Sequence, residues 1–252
     1  MSNDPVNKLI VALDVPTAQE ARELVELLQP EVGMFKVGSQ LFTAAGPEIV
    51  REIVRSGGRV FLDLKFHDIP NTVAAAAVEA TRLGVTILNV HAGGGAEMMR
   101  RTAVAVSEAS SAEGLLRPSI IAVTVLTSSD EATLNAVGVA NTPEEQVIKL
   151  ARLAAENGMD GLVASPFEVR ALRAAIPQRG FLIVTPGIRP AGTALDDQKR
   201  VTSPAAAVQA GADYLVVGRP IIAAKDPLGA ARRIGAEIAS LSHDIAGAKQ
   251  EL

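Results

Sequence analysis

The sequence predicts a single-domain α/β protein, a (β/α)8 TIM barrel, on three observations. Eight short β-rich runs recur along the chain, each with a polar residue or glycine at or next to its end. Segments of helical character lie between them. The runs are near-continuously apolar rather than alternating, as expected of parallel strands buried on both faces. Eight regular units without a nucleotide fingerprint favour closure over the alternative, a doubly wound open sheet.

The first strand is read at KLIVALDV (8–15). TAQEARELVELLQ (17–29) follows as a helix, with Thr17 as N-cap, Glu20 as capping-box partner, and Leu24, Leu27 and Leu28 on one face. MFKVG (34–38) is the second strand and RVFLDLK (59–65) the third. TVAAAAVEATRLG (72–84) is alanine-rich and closes with Gly84, a helix terminator. TILNVHA (86–92) is the fourth strand; the glycines of HAGGG (91–95) match neither a P-loop nor G-x-G-x-x-G and read as a turn into the next helix. SIIAVTVLT (119–127) precedes TPEEQVIKLARLAAENG (142–158), which has Thr142 as N-cap, Pro143 at the first helical position and Gly158 at its end. DGLVAS (160–165) and FLIVTPG (181–187) are the sixth and seventh strands. SPAAAVQAG (203–211) repeats the helix plan with Ser203, Pro204 and Gly211 before the last strand, DYLVVGR (213–219). No linker-like tract or repeat divides residues 1–252, and the polar ends at about 1–7 and 243–252 read as loosely held tails.

Composition narrows the function. With 48% hydrophobic and 21% charged residues, the 252-residue chain can bury a sizeable core. A net charge of −4 without a long basic run gives no sign of a nucleic-acid surface, although a few basic residues can still hold a small anion. The absence of cysteine excludes disulfides, thiolate metal sites and a cysteine nucleophile. MSNDPVNKLIVALDV (1–15) has no basic segment before its apolar stretch, and no run is long enough to span a membrane. The expectation is a cytoplasmic protein with no membrane partner.

Active sites of this barrel lie at the C-terminal ends of the strands. Polar residues that close the runs therefore face one cavity: Asp14, Lys36, Asp63, Lys65, Asn89 and His91 from the first half, and Thr127, Ser165 and Arg219 from the second. The third strand is the most unusual. In FLDLKFHDIPNTV (61–73), Asp63 and Lys65 are two apart and share a face, projecting inward if Leu62 and Leu64 pack against helices. A structural ion pair is the bland alternative. Buried pairs gain little net stability after desolvation, so burying this one points to another use. Lys36, Asp63, Lys65 and Asp68 together would form a row of alternating sign.

TPGIRPAG (185–192) and VVGRP (216–220) follow strands seven and eight, where barrels often build a phosphate site from backbone N–H groups and a helix N-terminus. Gly218 would allow close backbone approach and Arg219 a bidentate contact; an ordinary turn with a solvated arginine is the alternative. Arg189 and Gln198 bracket a loop long enough to act as a lid. His91 reads equally as an acid/base group or a hydrogen-bonded structural residue, and His67 as an orienting or solvated one. No H-E-x-x-H, histidine cluster or G-x-S-x-G is present, so zinc hydrolysis and a serine triad have no support.

The D-x-K-x-x-D pattern at Asp63, Lys65 and Asp68, with VTVLTS (123–128), VTPGIRP (184–190), DQKR (197–200) and VVGRP, resembles the orotidine 5′-phosphate decarboxylase family over about residues 8–235. The resemblance implies conversion of orotidine 5′-phosphate to UMP and carbon dioxide, the last step of de novo pyrimidine nucleotide synthesis, without metal or organic cofactor. It implies that Lys65 donates the proton to C6, that Asp63 lies against the departing carboxylate, and that Lys36 completes the row and contacts the ribose. It assigns Asp14 to the ribose hydroxyls, Thr127 to the pyrimidine, and Arg189, Gln198, Gly218 and Arg219 to the phosphate. It further implies a homodimer in which Asp68 and Thr72 enter the neighbour's site. Rival readings are a metal-dependent sugar-phosphate decarboxylase or aldolase of the same barrel, and a non-catalytic phosphate-ligand-binding barrel. The first needs an additional acid near the end of strand two, where Lys36 stands. The second has no need of the whole charged row.

Overall fold

The computed structural model describes residues 5–190 and 202–247. A 3₁₀ turn, Pro5–Lys8, leads into β1 (Leu9–Ala12), α1 (Ala18–Leu28), β2 (Met34–Gly38), α2 (Ser39–Ala45), α3 (Glu48–Arg55) and β3 (Val60–Phe66). Next come α4 (Pro70–Arg82), β4 (Ile87–His91), α5 (Gly95–Glu113), β5 (Ser119–Val123), α6 (Glu131–Ala136) and α7 (Pro143–Glu156). The chain continues through β6 (Gly161–Val163), α8 (Val169–Ala175), β7 (Leu182–Thr185), α9 (Pro204–Ala210), β8 (Tyr214–Val217), α10 (Arg219–Ile222) and α11 (Pro227–Gly247). The eight strands pair in sequence order, all parallel, and β8 closes on β1. This is the expected (β/α)8 barrel. The last helix continues past residue 243, so part of the segment read as a C-terminal tail is helical.

Why the strands are apolar throughout is visible in two separate cores. Ile10, Met34, Phe61, Ile87, Ile121 and Val216 meet inside the barrel. Their strand neighbours, such as Leu9, Val11, Phe35, Leu62 and Leu88, pack outward against the helices. Each strand thus buries both faces, and the period of two carries the inward face of β2 from Met34 to Lys36 and that of β3 from Phe61 to Asp63. The barrel interior is apolar at the bottom and charged at the mouth.

The bottom is pinned by paired charges. Asp160, just before β6, accepts the Ile120 N–H at 2.7 Å and Arg117 Nη1 at 2.8 Å. Asp213, just before β8, accepts the Ile183 N–H at 2.7 Å and also binds Arg173. Each carboxylate satisfies an amide of a neighbouring strand, which a buried ladder end requires.

Three local readings are sharpened. In α1, Thr17 Oγ1 accepts the Glu20 N–H at 3.2 Å as expected, and the Glu20 carboxylate takes the Thr17 hydroxyl at 3.1 Å. A full reciprocal capping box forms instead on α7, between Thr142 and Glu145. The buried face of α1 is Ala21, Val25 and Leu28, with Leu24 packed against the core, while Leu27 is 43% exposed and departs from the expected face. Helix α4 begins at Pro70, two residues before the reading at Thr72, because proline suits the first helical turn, where no N–H is needed.

One barrel position is too tight for any side chain. A Cβ on Gly161 would lie 2.4 Å from the Leu182 carbonyl oxygen on β7. Gly161→Ala is therefore expected to force the β6–β7 wall apart and lower stability by about 1–3 kcal/mol, read as a fall in the thermal midpoint. An unchanged midpoint would contradict that packing.

Candidate active site

The C-terminal ends of the strands bring four charged side chains into one row. Lys36 Nζ lies 3.1 Å from Asp14 Oδ1 and 3.4 Å from Asp63 Oδ2; Lys65 Nζ lies 2.8 Å from Asp63 Oδ1. The order Asp14–Lys36–Asp63–Lys65 alternates in sign within one chain. The middle pair is the more enclosed: the side chains of Lys36 and Asp63 are 11% and 13% exposed, against 50% for Asp14 and 39% for Lys65. Each middle residue has a second opposite charge, Asp14 for Lys36 and Lys65 for Asp63, so each stays paired within a partly dry site.

Backbone choices make the row possible. Gly38 pairs with Asp63 across β2 and β3, and a Cβ there would come within 2.9 Å of Lys36 Nζ. The missing side chain is the space through which the Lys36 ammonium reaches both carboxylates. On β3, simple alternation stops at Asp63. The β3–β4 register shifts between Leu62 and Phe66, and Lys65 adopts φ +52°, the single positive-φ non-glycine among the described residues. Lys65 reaches the mouth through a bulge, not through the regular pleat that its spacing suggested.

The row borders a cavity of about 350 Å³ whose walls include Phe61, Val123, Thr127, Val163, Pro186 and Val216. It combines apolar walls with a few converging polar groups, the usual make-up of a small-molecule site. A larger groove, about 730 Å³, lies between α1 and α3. Its Arg22 and Glu52 are bound to one another at 2.7 Å, on the outside of the helical layer. Its size notwithstanding, it gathers no unusual chemistry, and the barrel mouth is the candidate site.

The remaining sequence-derived positions fall into four groups. Thr127 lines the mouth cavity. Arg189 follows β7 and Gly218 and Arg219 follow β8, at the same rim; a Cβ on Gly218 would sit 3.5 Å from Asp14 Oδ2. Gln198 lies outside the described residues. Asp68, on the β3–α4 connection, and Thr72, in the first turn of α4, are exposed, and Asp68 Oδ1 accepts the Ile69 N–H at 2.6 Å. Among the described residues no ion pair or hydrogen bond joins these two to the charged row.

His67 and His91 stack with ring centroids 5.1 Å apart and planes 15° from parallel. His91 Nδ1 accepts the Gly93 N–H at 3.2 Å. Burial, then the neighbouring His67 and Lys65, hold the His91 pKa below its ordinary value, favouring the neutral ring. Asn89, which like Ser165 has no assigned role from the sequence, is fully buried on β4. Its Nδ2 donates to Asp63 Oδ1 at 2.6 Å and its Oδ1 accepts the Lys65 N–H at 2.8 Å. The available signal was a lone amide within an otherwise apolar run.

Fold and site together define a (β/α)8-barrel protein with an alternating lysine–aspartate row at the mouth of the barrel. The chain belongs to the orotidine 5′-phosphate decarboxylase/HUMPS family, whose model matches residues 7–234. It is 57% identical over 233 residues to orotidine 5′-phosphate decarboxylase of Moorella thermoacetica, covering 92% of each chain. It is 55% identical over 232 residues to that of Trichlorobacter lovleyi, covering 92% of this chain and 95% of the relative. The crystal structure of orotidine 5′-phosphate decarboxylase from Lactobacillus acidophilus matches with a TM-score of 0.80 at 38% identity, over 91% of this chain and 98% of that one.

Proposed function

We propose that this chain decarboxylates orotidine 5′-phosphate to UMP and carbon dioxide, the last step of de novo pyrimidine nucleotide synthesis. The observation that carries the reading is the Lys36–Asp63–Lys65 row beside a cavity of nucleobase-accommodating size. In the reaction the bond from C6 to its carboxylate breaks, carbon dioxide leaves, and the electron pair stays on C6. The Lys65 ammonium stabilises that charge and then supplies the proton, so UMP forms with no electron sink beyond the protein's own charges.

Asp63 lies against the departing carboxylate. Two like charges 4 Å apart at an effective dielectric near 20 repel by about 4 kcal/mol, roughly three decades of rate. The repulsion counts only where the transition state relieves it. Lys36 and Asn89 matter here, because they hold Asp63 at 3.4 and 2.6 Å and prevent it from swinging away. Asp14 and Lys36 take the ribose, Thr127 the pyrimidine, and Arg189, Gln198, Gly218 and Arg219 the phosphate. Phosphate binding away from C6 supplies binding energy that helps assemble the charged row.

We further assign the protein to a cytoplasmic homodimer that uses neither nucleic acid nor membrane. Asp68 and Thr72, exposed here and unconnected to their own row, then complete the partner subunit's site. Among the described residues no helix is long and apolar enough to cross a membrane. The metal-dependent sugar-phosphate reading is disfavoured by Lys36, an ammonium where a metal-binding acid is needed.

The test is the absorbance change on adding orotidine 5′-phosphate to chelator-treated protein. Turnover without added metal is expected. No turnover by folded protein sinks the proposal, and activity that returns only with Mg²⁺ transfers the chain to the metal-dependent branch.

A further inference from the structure

Resting on the decarboxylase reading, we propose that Asn89 is a positioning residue that sets the geometry of the Asp63–Lys65 pair. It shares the inward face of β4 with Ile87 and is completely enclosed at the level of the charged row. A buried primary amide must find partners for its donors and acceptor. Here both lie on the catalytic strand, and a backbone N–H can only donate, which fixes the amide orientation: Oδ1 faces Lys65 and Nδ2 faces Asp63.

Two separate requirements meet in this one side chain. The register shift between Leu62 and Phe66 takes Lys65 out of the regular ladder and leaves its N–H in need of another acceptor. Asn89 Oδ1 supplies it at 2.8 Å, just where Lys65 adopts φ +52°. A non-glycine residue in the left-handed region persists only where its surroundings over-determine it. Meanwhile Nδ2 orients the Asp63 carboxylate, turning Oδ1 toward the Lys65 ammonium at 2.8 Å and Oδ2 toward Lys36 at 3.4 Å. The same amide thus fixes the backbone from which Lys65 rises and the carboxylate that aims it.

Its neutrality is part of the role. A cation at this position would quench Asp63, and an anion would compete with it for Lys65. The charged and titratable groups around Asn89 are Asp63 and Lys65 on β3, Lys36 beyond Asp63 on β2, and the stacked His91 and His67.

Two variants test this against the active parent protein. Asn89→Ala is expected to lower kcat about 100-fold, the effect of a displaced reacting group, with UMP affinity kept within about threefold. Asn89→Asp keeps the size and the acceptor for Lys65. When protonated it still donates to Asp63; when ionised it loses that donor and repels it. Two adjoining carboxyls share one proton with a raised pKa, so the ratio of Asn89→Asp to parent kcat should fall roughly tenfold or more as pH rises from about 6 to 8. A purely structural role gives a ratio independent of pH. A constant ratio, an inactive Asn89→Asp at every pH, or parent-like kcat in folded Asn89→Ala overturns the inference and leaves the decarboxylase reading standing. An inactive parent overturns both.

Discussion

Lys65→Ala protein is expected to fold, to bind UMP, and to lose turnover by about 10⁵-fold or more, combining the usual contributions of a general acid and of a charge placed at the developing anion. The structure says why the fold should survive. The Lys65 side chain is 39% exposed, so its removal opens space to solvent and leaves no dry cavity. Asp63 loses its 2.8 Å partner but keeps Lys36 at 3.4 Å and Asn89 at 2.6 Å, and is never left as an unpaired buried charge. On the proposed assignment, product binding relies on ribose, base and phosphate contacts made by residues other than Lys65. Single-turnover assays beside UMP titration separate the two effects. Turnover within about tenfold of the parent would remove Lys65 from the chemistry.

The contrast with Lys36 follows from burial. Lys36 joins two carboxylates and its side chain is 11% exposed, so truncating it opens a gap at the enclosed part of the row and removes the ion partner of Asp14, although Asp63 keeps Lys65 and Asn89. Its variants mix stability with function. Lys65, at the edge of the row, permits the cleaner experiment.

Much of this molecule is written in its periodicity. The eight strand positions follow from apolar runs that must be buried on both faces, the parallel pairing from helices separating each pair, and closure from the regular count of eight units. The charged strand ends were equally legible, since Asp14, Lys36, Asp63 and Lys65 interrupt apolar segments where solvation alone gives no reason for them. What the pattern could not carry were departures from regularity. Leu27 looks like a core residue by composition, yet the buried face of α1 is Ala21, Val25 and Leu28, and Leu27 lies off it. The spacing of Asp63 and Lys65 suggested one pleated face, but the β3–β4 bulge turns Lys65 through φ +52°. That bulge depends on an amide 24 residues further on. A contact of that kind has no local signature; it exists only after β3 and β4 have paired.

Asp68 gives the second large effect, and it concerns two chains rather than one. Asp68→Ala and Lys65→Ala homodimers are each expected to be nearly inactive, yet a refolded equal mixture should recover about a quarter of parent activity if each site takes Lys65 from one subunit and Asp68 from the other. In a mixed dimer one site collects both defects and the other collects neither. Random pairing makes about half of the dimers mixed, and half of their sites are then intact. The exposed position of Asp68, whose Oδ1 accepts the adjacent Ile69 N–H, leaves its carboxylate able to reach outward. If Asp68 instead served the row of its own subunit, each site of a mixed dimer would carry one defect and no activity would return. Mixing before and after unfolding distinguishes subunit exchange from simple addition of residual rates. Verified mixed dimers without recovery would place Asp68 outside a shared site, while leaving the roles of Asp63 and Lys65 untouched.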